Sequence, residues 1–208
     1  MTATGHFITF EGIDGSGKST QARRLADHLK DAGRNVVLTR EPGGSAGAEE
    51  IRRLLVEGDT SRWSAETEIL LFTAARRDHL ERTITPALEA GKLVISDRFA
   101  DSTRVYQGAV RSSARDTVDT LHRLMIGKEP DLTFVIDMDP EKALTRGLAR
   151  QSGEDRFEDF GADFQARLRQ GFRDLAASHP ERCVMIDGNR PEDVVASDVI
   201  KHFEKALS

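Results

Sequence analysis

The sequence predicts an α/β fold in which a five-stranded parallel sheet carries helices on both faces. Two observations predict it. Five short runs, Phe7–Phe10, Val36–Thr39, Leu93–Ser96, Leu132–Asp137 and Cys183–Ile186, are apolar or β-branched and too brief for helices. Longer stretches of helical periodicity separate them, the pattern written by parallel strands buried on both sides. With 208 residues, 38% hydrophobic and 31% charged, the chain has apolar material for one such domain spanning 1–208.

The first run is the most informative, because residues 7–20 read FITFEGIDGSGKST. Phe7, Ile8 and Phe10 make a strand, and Ala22, Leu25, Ala26 and Leu29 then recur at helical spacing. Between them, Gly12, Gly17, Lys18 and Ser19 fit the phosphate-binding pattern G-x-x-x-x-G-K-[ST]. Such a loop turns its backbone N–H groups inward around phosphate oxygens, here along Gly12, Ile13, Asp14, Gly15, Ser16 and Gly17. The helix that follows adds its positive dipole end. Lys18 supplies a mobile charge for the β- and γ-phosphates and Ser19 a hydroxyl for Mg²⁺. The expectation is a P-loop fold that binds a nucleoside triphosphate.

Later elements carry their own punctuation. Gly33 and Gly91 fall where helices stop before the second and third strands. Asp139-Pro140-Glu141 and Asn189-Arg190-Pro191-Glu192 are helix starts with proline in the first turn, and His179-Pro180 closes a helix running from about residue 162. Residues 150–158, RQSGEDRFE, are charged and poor in apolar side chains between two helical stretches. They read either as a solvated turn or as part of a lid, about 146–158, over the phosphate site.

A net charge of −5 argues against a general nucleic-acid or membrane-surface role. The single cysteine, Cys183, lies in an apolar run; it reads as a core residue and leaves no disulfide framework or cysteine zinc site. The six histidines show no paired metal-ligand spacing. The first strand starts at about residue 7, leaving no room for a cleavable targeting segment, and no run approaches the ~18 apolar residues of a membrane span. A cytoplasmic protein acting on small molecules is expected.

In a doubly wound sheet, ligands sit at the carboxyl ends of the strands. Those ends read Glu11 to Ser19, then Arg40-Glu41-Pro42-Gly43-Gly44, Asp97-Arg98, Asp137 to Asp139, and Asp187-Gly188-Asn189. Arginine beside acid at several ends suits a site for phosphates and Mg²⁺, and a strand end facing the phosphate loop is an unusual place for the idle charge of Arg98. A guanine-specific switch would carry Asn-Lys-x-Asp, and Asn-Lys does not occur; a motor or transport ATPase would bring partner elements for which there is little spare length. A small-molecule kinase needs instead a second site for its acceptor.

Residues 39–44 (TREPGG), 70–76 (LLFTAAR) and 97–108 (DRFADSTRVYQG), with the loop GIDGSGKST, make the chain resemble the thymidylate kinases over nearly its whole length. The resemblance implies transfer of the γ-phosphoryl group of ATP to dTMP, with Mg²⁺. Alternatives are another pyrimidine (deoxy)nucleoside monophosphate kinase or a slow regulatory nucleotide switch. By the same resemblance, Asp14 meets the acceptor sugar near its 3′-hydroxyl, and Arg40 and Arg98 hold the acceptor phosphate. Phe72 stacks on thymine, Arg76 donates to a base oxygen, and Ser102 and Gln107 complete the base edge. Tyr106 crowds the 2′ position, Asp97 reaches Mg²⁺ through water, and the loop from Asp187 packs near adenine. Gly15 stands where some members carry arginine, which moves the expected basic residue into the lid, at Arg150 or Arg146. The resemblance also implies a homodimer, burying apolar positions between Phe72 and Leu88 or between Val118 and Met125 that equally fit the core. Read alone, Phe72 fits core packing with Ile69 and Ala75, Arg76 a solvated pair with Arg77, and Tyr106 an amphipathic surface.

Overall fold

In the computed structural model, residues 5–58, 62–110, 112–148 and 161–207 are described. Five parallel strands, β1 (Phe7–Glu11), β2 (Val36–Arg40), β3 (Leu93–Asp97), β4 (Leu132–Asp137) and β5 (Cys183–Asp187), lie in the order β2-β3-β1-β4-β5. This is the expected sheet. Four strands, β1, β2, β3 and β5, run one residue past their apolar runs, since Glu11 pairs in register with Val135, Arg40 with Asp97, and Asp187 with Asp137. Hydrophobic pattern reports which face a side chain occupies, not where backbone pairing stops, so these charged residues are held by the sheet itself.

Alternation along the strands builds two core layers. Ile8, Phe10, Ile95, Phe134 and Ile136 pack on one face against Ala22, Leu25 and Leu29 of α1 (Lys18–Asp31) and Val195, Val199 and Phe203 of α9 (Glu192–Leu207). On the other face, Phe7 and Val94 meet Leu80, Ile84 and Leu88, while Val135 meets Val105, Phe164, Leu168 and Phe172. These come from the helical stretch α3 (Ala65–His79) to α4 (Thr85–Glu89), from α5 (Ala100–Val110) and from α8 (Gly161–Ser178). α2 (Ala46–Val56), α6 (Ser112–Leu121) and α7 (Pro140–Leu148) complete the helices of the described residues.

Between α3 and α4 the helix widens into a π turn, Leu80–Ile84, just ahead of Pro86, which has no N–H to give a helical bond. A second π turn, His122–Ile126, ends at Gly127. Neither carries a mark in the sequence. The capping residue Asp139 behaves as its Asp-Pro-Glu context suggests, its Oδ1 accepting from Glu141 N–H at 3.0 Å. No helix among the described residues is long and apolar enough to cross a membrane.

β1 lies between β3 and β4, while the chain leaving it through α1 goes to the edge strand β2. The strand order therefore reverses at β1, and its carboxyl end opens into the crevice where such sheets bind ligands. Gly12 to Ser19 occupies that place.

Candidate active site

A cleft of about 800 Å³ opens over the phosphate loop and the ends of β2 and β3. It brings together Asp14, Gly15, Gly17, Lys18 and Ser19 with Arg40, Phe72, Arg76, Asp97, Arg98, Ser102, Tyr106 and Gln107. Residues expected at the phosphate loop and at an acceptor site thus share one concavity. Gly12 and Ile13 lie behind it, in a narrow crevice with Asp137 and Arg169.

Four side chains, Asp14, Lys18, Arg98 and Tyr106, tie the cleft floor together. Asp14 Oδ1 accepts from Arg98 Nη2 and lies 3.4 Å from Lys18 Nζ, and its Oδ2 accepts from Tyr106 O–H at 2.7 Å. Arg98 also donates to Ser102 Oγ at 2.9 Å, and its guanidinium lies 5.1 Å from the centre of the Tyr106 ring. Burial would raise the Asp14 carboxyl, but Arg98 and Lys18 outweigh it and hold the group well below the usual range. Burial likewise opposes charge on Arg98, yet Asp14, Tyr106 and Asp97 fix its proton more firmly than usual. Burial, and the nearby Arg98, pull Lys18 down against the support of Asp14 and Asp97. Burial and the Asp14 charge raise the Tyr106 phenol, keeping it a donor.

The backbone at Arg98 is itself unusual. Its φ is 72°, a left-handed conformation that costs a side-chain-bearing residue about 1–3 kcal/mol. Arg98 N–H donates to Phe10 O at 2.9 Å and Ser96 Oγ donates to Arg98 O at 2.8 Å, so the neighbouring strand and serine hold the bend. The bend turns the guanidinium back over the phosphate loop.

Behind the loop sits Glu11, fully buried at the end of β1. Its Oε1 accepts from Phe99 N–H at 2.7 Å and its Oε2 bonds the Ser102 hydroxyl at 2.5 Å. Burial, reinforced by the Asp101 carboxylate, pushes Glu11 up to about 8.

The opposite wall is less polar. Phe72 is half-buried and belongs to none of the core clusters, so it faces the cleft instead of the core. Arg76 is 4% exposed and is no solvated pair with Arg77: its Nε donates to Glu41 Oε2 at 2.7 Å, and its Nη2 to Phe99 O and Thr103 Oγ1 at 3.2 and 2.9 Å. Gln107 is buried, with Nε2 3.5 Å from Glu68 Oε2. Tyr106 is buried too, its ring edge-on to Phe172. Arg40 is exposed and donates to Glu49, whose Oε1 also accepts from Gly44 N–H.

Other expected site residues stand apart from the cleft. Arg146 is exposed on α7, with Nη1 3.6 Å from Met138 Sδ. Asp187 is exposed at the end of β5, where its Oδ1 accepts from Asn189 N–H at 3.0 Å. Arg150, Arg156 and nearly all of the expected lid lie outside the described residues. Sequence reasoning assigned no role to Glu11, Glu41, His79 or Thr103, although Glu41 and Thr103 fall inside segments whose chemistry it used.

Close to the phosphate loop, the buried atoms Ser16 Oγ and Asp97 Oδ1 have no hydrogen-bond partner among the described residues. Orphaned oxygens of this kind are rare in folded proteins. With Ser19 Oγ in the same cleft, the carboxylate oxygen of Asp97 suits Mg²⁺, which takes hard oxygen ligands and few protein groups.

A phosphate loop that faces a cleft lined by arginine, carboxylate and an aromatic wall defines a P-loop phosphotransferase acting on a small acceptor. The family model for thymidylate kinase matches residues 10–199. The thymidylate kinase of Dinoroseobacter shibae is 73% identical over 206 residues, covering 99% of this chain and 100% of that protein. That of Ruegeria pomeroyi is 68% identical over 199 residues, covering 96% and 94% respectively. The crystal structure of thymidylate kinase from Ehrlichia chaffeensis superposes with a TM-score of 0.77 at 39% identity, covering 96% of this chain and 99% of its own. The chain belongs to the thymidylate kinase family.

Proposed function

We propose that the chain phosphorylates dTMP to dTDP with ATP and Mg²⁺, and that the cleft over the phosphate loop is the dTMP site. One observation carries this reading: Asp14, Arg98 and Tyr106 converge beside Lys18 on the floor of a cleft that Phe72 walls. A second phosphate ester is held where the first one is bound.

The terminal phosphate of a nucleotide has its second pKa near 6, so it is already a nucleophilic dianion at neutral pH. No general base is required. The demand on the protein is to bring two polyanions together and stabilise charge on the moving phosphoryl group. Lys18 and the permanently charged Arg98 meet that demand, with Arg40 reaching the acceptor phosphate from the cleft rim. Asp14 stays ionised, so it accepts from a sugar hydroxyl and repels misplaced phosphate. Ser19 and Asp97 would hold Mg²⁺, which when bound would neutralise phosphate charge.

Phe72 stacks on the base, Arg76 donates to a base oxygen, Ser102 and Gln107 border the base edge, and Tyr106 fills the 2′ side of the sugar. Gly12 to Ser19 cradle the ATP phosphates, Asp187 and its loop border adenine, and a lid at about 146–158, in one domain with the rest, brings Arg150 or Arg146 to the phosphates. Its closure excludes water. Leu70, Leu124 and Met125 are 56%, 69% and 49% exposed on α3 and the neighbouring π turn, a face a second copy of the chain would cover in a cytoplasmic homodimer.

Calorimetric titration tests the acceptor site. Phe72→Ala is expected to weaken dTMP binding about 10- to 100-fold, the usual worth of a base–aromatic stack, with ATP binding unchanged. Unaltered dTMP affinity in that variant would place the base elsewhere.

A further inference from the structure

A closed chain of hydrogen bonds runs behind Arg76, through residues that phosphoryl transfer does not use. Glu41, just past β2, accepts from Arg76 Nε at 2.7 Å with one carboxylate oxygen and pairs with His79 Nδ1 at 3.1 Å through the other. Arg76 and His79 stand one turn apart on α3, so both reach the same carboxylate. His79 Nε2 lies 2.8 Å from Thr39 Oγ1. Each ring nitrogen thus has one polar partner, Nδ1 the Glu41 carboxylate and Nε2 the Thr39 hydroxyl, which can donate or accept as the ring requires.

The inner members of the chain are buried, and Thr39 at its outer end is half-buried at the cleft wall. His79 is 0% exposed and Glu41 5%. At Gly44, whose φ is 87°, a Cβ would overlap both His79 Nε2 and Thr39 Oγ1, so loop backbone closes directly over the pair.

The consequence falls on Arg76. Its Nε is committed to Glu41, its Nη2 to Phe99 O and Thr103 Oγ1, and its plane lies over the Phe99 ring at 5.2 Å. Nη1 is outside these bonds, and a guanidinium offers only donors. A donor fixed this firmly in the cleft wall can donate to a ring carbonyl and leaves an exocyclic amine unpaired, the kind of mismatch that discriminates strongly between substrates.

We infer that Glu41 and His79, backed by Thr39, are positioning residues that lock Arg76 as a donor and thereby set a preference for keto over amino pyrimidines at the acceptor site. This rests on the reading of Arg76 as the group that meets a base oxygen.

The test is steady-state kinetics with dTMP and dCMP in four variants, each checked for a cooperative melt. His79→Leu removes both ring nitrogens, His79→Asn keeps a donor near the Nδ1 position, Thr39→Val removes only the outer partner, and Arg76→Lys tests the base reading itself. Loss of one hydrogen bond to a charged group predicts that His79→Leu raises KM for dTMP about tenfold and cuts the dTMP-over-dCMP preference about as much. KM for ATP should not move, and His79→Asn should recover most of the loss. Retained preference in a folded His79→Leu protein overturns the inference, as does a His79→Asn protein no better than the leucine variant. If His79→Leu does not fold, Thr39→Val decides, and it must shift preference the same way. An Arg76→Lys enzyme with unchanged preference overturns the base reading and this inference with it. If Arg76→Lys erodes preference and His79→Leu does not, the positioning role alone falls.

Discussion

Glu11 shows how single side chains are tuned around the phosphate loop. An ionised carboxylate immediately before Gly12 would repel the phosphates the loop is built to hold. Burial and the Asp101 charge keep Glu11 neutral to about 8, while Asp14, three residues on, stays ionised because Arg98 and Lys18 face it. Two carboxyl groups thus take opposite states within one turn of chain. The stability consequence has a definite sign. The unfolded chain releases the Glu11 proton in the ordinary carboxylate range, whereas the folded chain keeps it until about 8. Stability therefore falls as pH rises through that window. Glu11→Gln has the shape of the neutral acid and no proton to lose. Its melting temperature is expected to exceed that of the wild type by a margin that grows from pH 5 to pH 9, reaching several degrees. A pH-independent difference would show Glu11 to be ionised in the fold. Sequence could identify Lys18, Ser19 and Arg98, because phosphate chemistry requires those residue types at set places in a strand–loop–helix unit. It could not reach His79 or Thr103, whose meaning depends on partners 38 and 27 residues away across the fold.

Among elements, the contact between the phosphate loop and α7 explains a choice the sequence only displays. A Cβ at Gly15 would overlap the Ala143 carbonyl, and Gly15 has φ 76°. No side chain enters without moving α7, so a basic residue serving the phosphates must come from another segment. Gly15→Ala is expected to destabilise the fold by about 1–3 kcal/mol through left-handed strain, and further through displacement of α7. Urea denaturation measures this, and an unchanged midpoint would mean that α7 does not abut the loop. Strand ends were legible from charge, since Arg40, Asp97 and Asp187 interrupt apolar runs; the last pair of each ladder was not. The π turn at Leu80–Ile84 was invisible because a helix that widens by one residue keeps its composition.

At the scale of the whole molecule, a chain of net charge −5 concentrates arginine where the strand order reverses. The reversal at β1 makes the crevice; the ends of β2 and β3 line it with Arg40 and Arg98, and α3 adds Arg76. Alternating hydrophobic runs were enough to predict the sheet, and the motifs fixed the family, because both are periodic or local signals. Which residues face one another across the cleft is a tertiary fact. Phe72 is the clearest case: helical spacing allowed a core role, and only the packing of α3 against α2 and α5 turns it to the cleft.

ADP release from MgATP, measured against a panel of nucleoside monophosphates, tests the choice of acceptor most directly. The proposed site predicts strong acceleration by dTMP, little by dCMP, whose amine would face the Arg76 donor, and little by UMP, whose 2′-hydroxyl would meet Tyr106. Equal acceleration by dCMP, or ADP release indifferent to any acceptor, would contradict it.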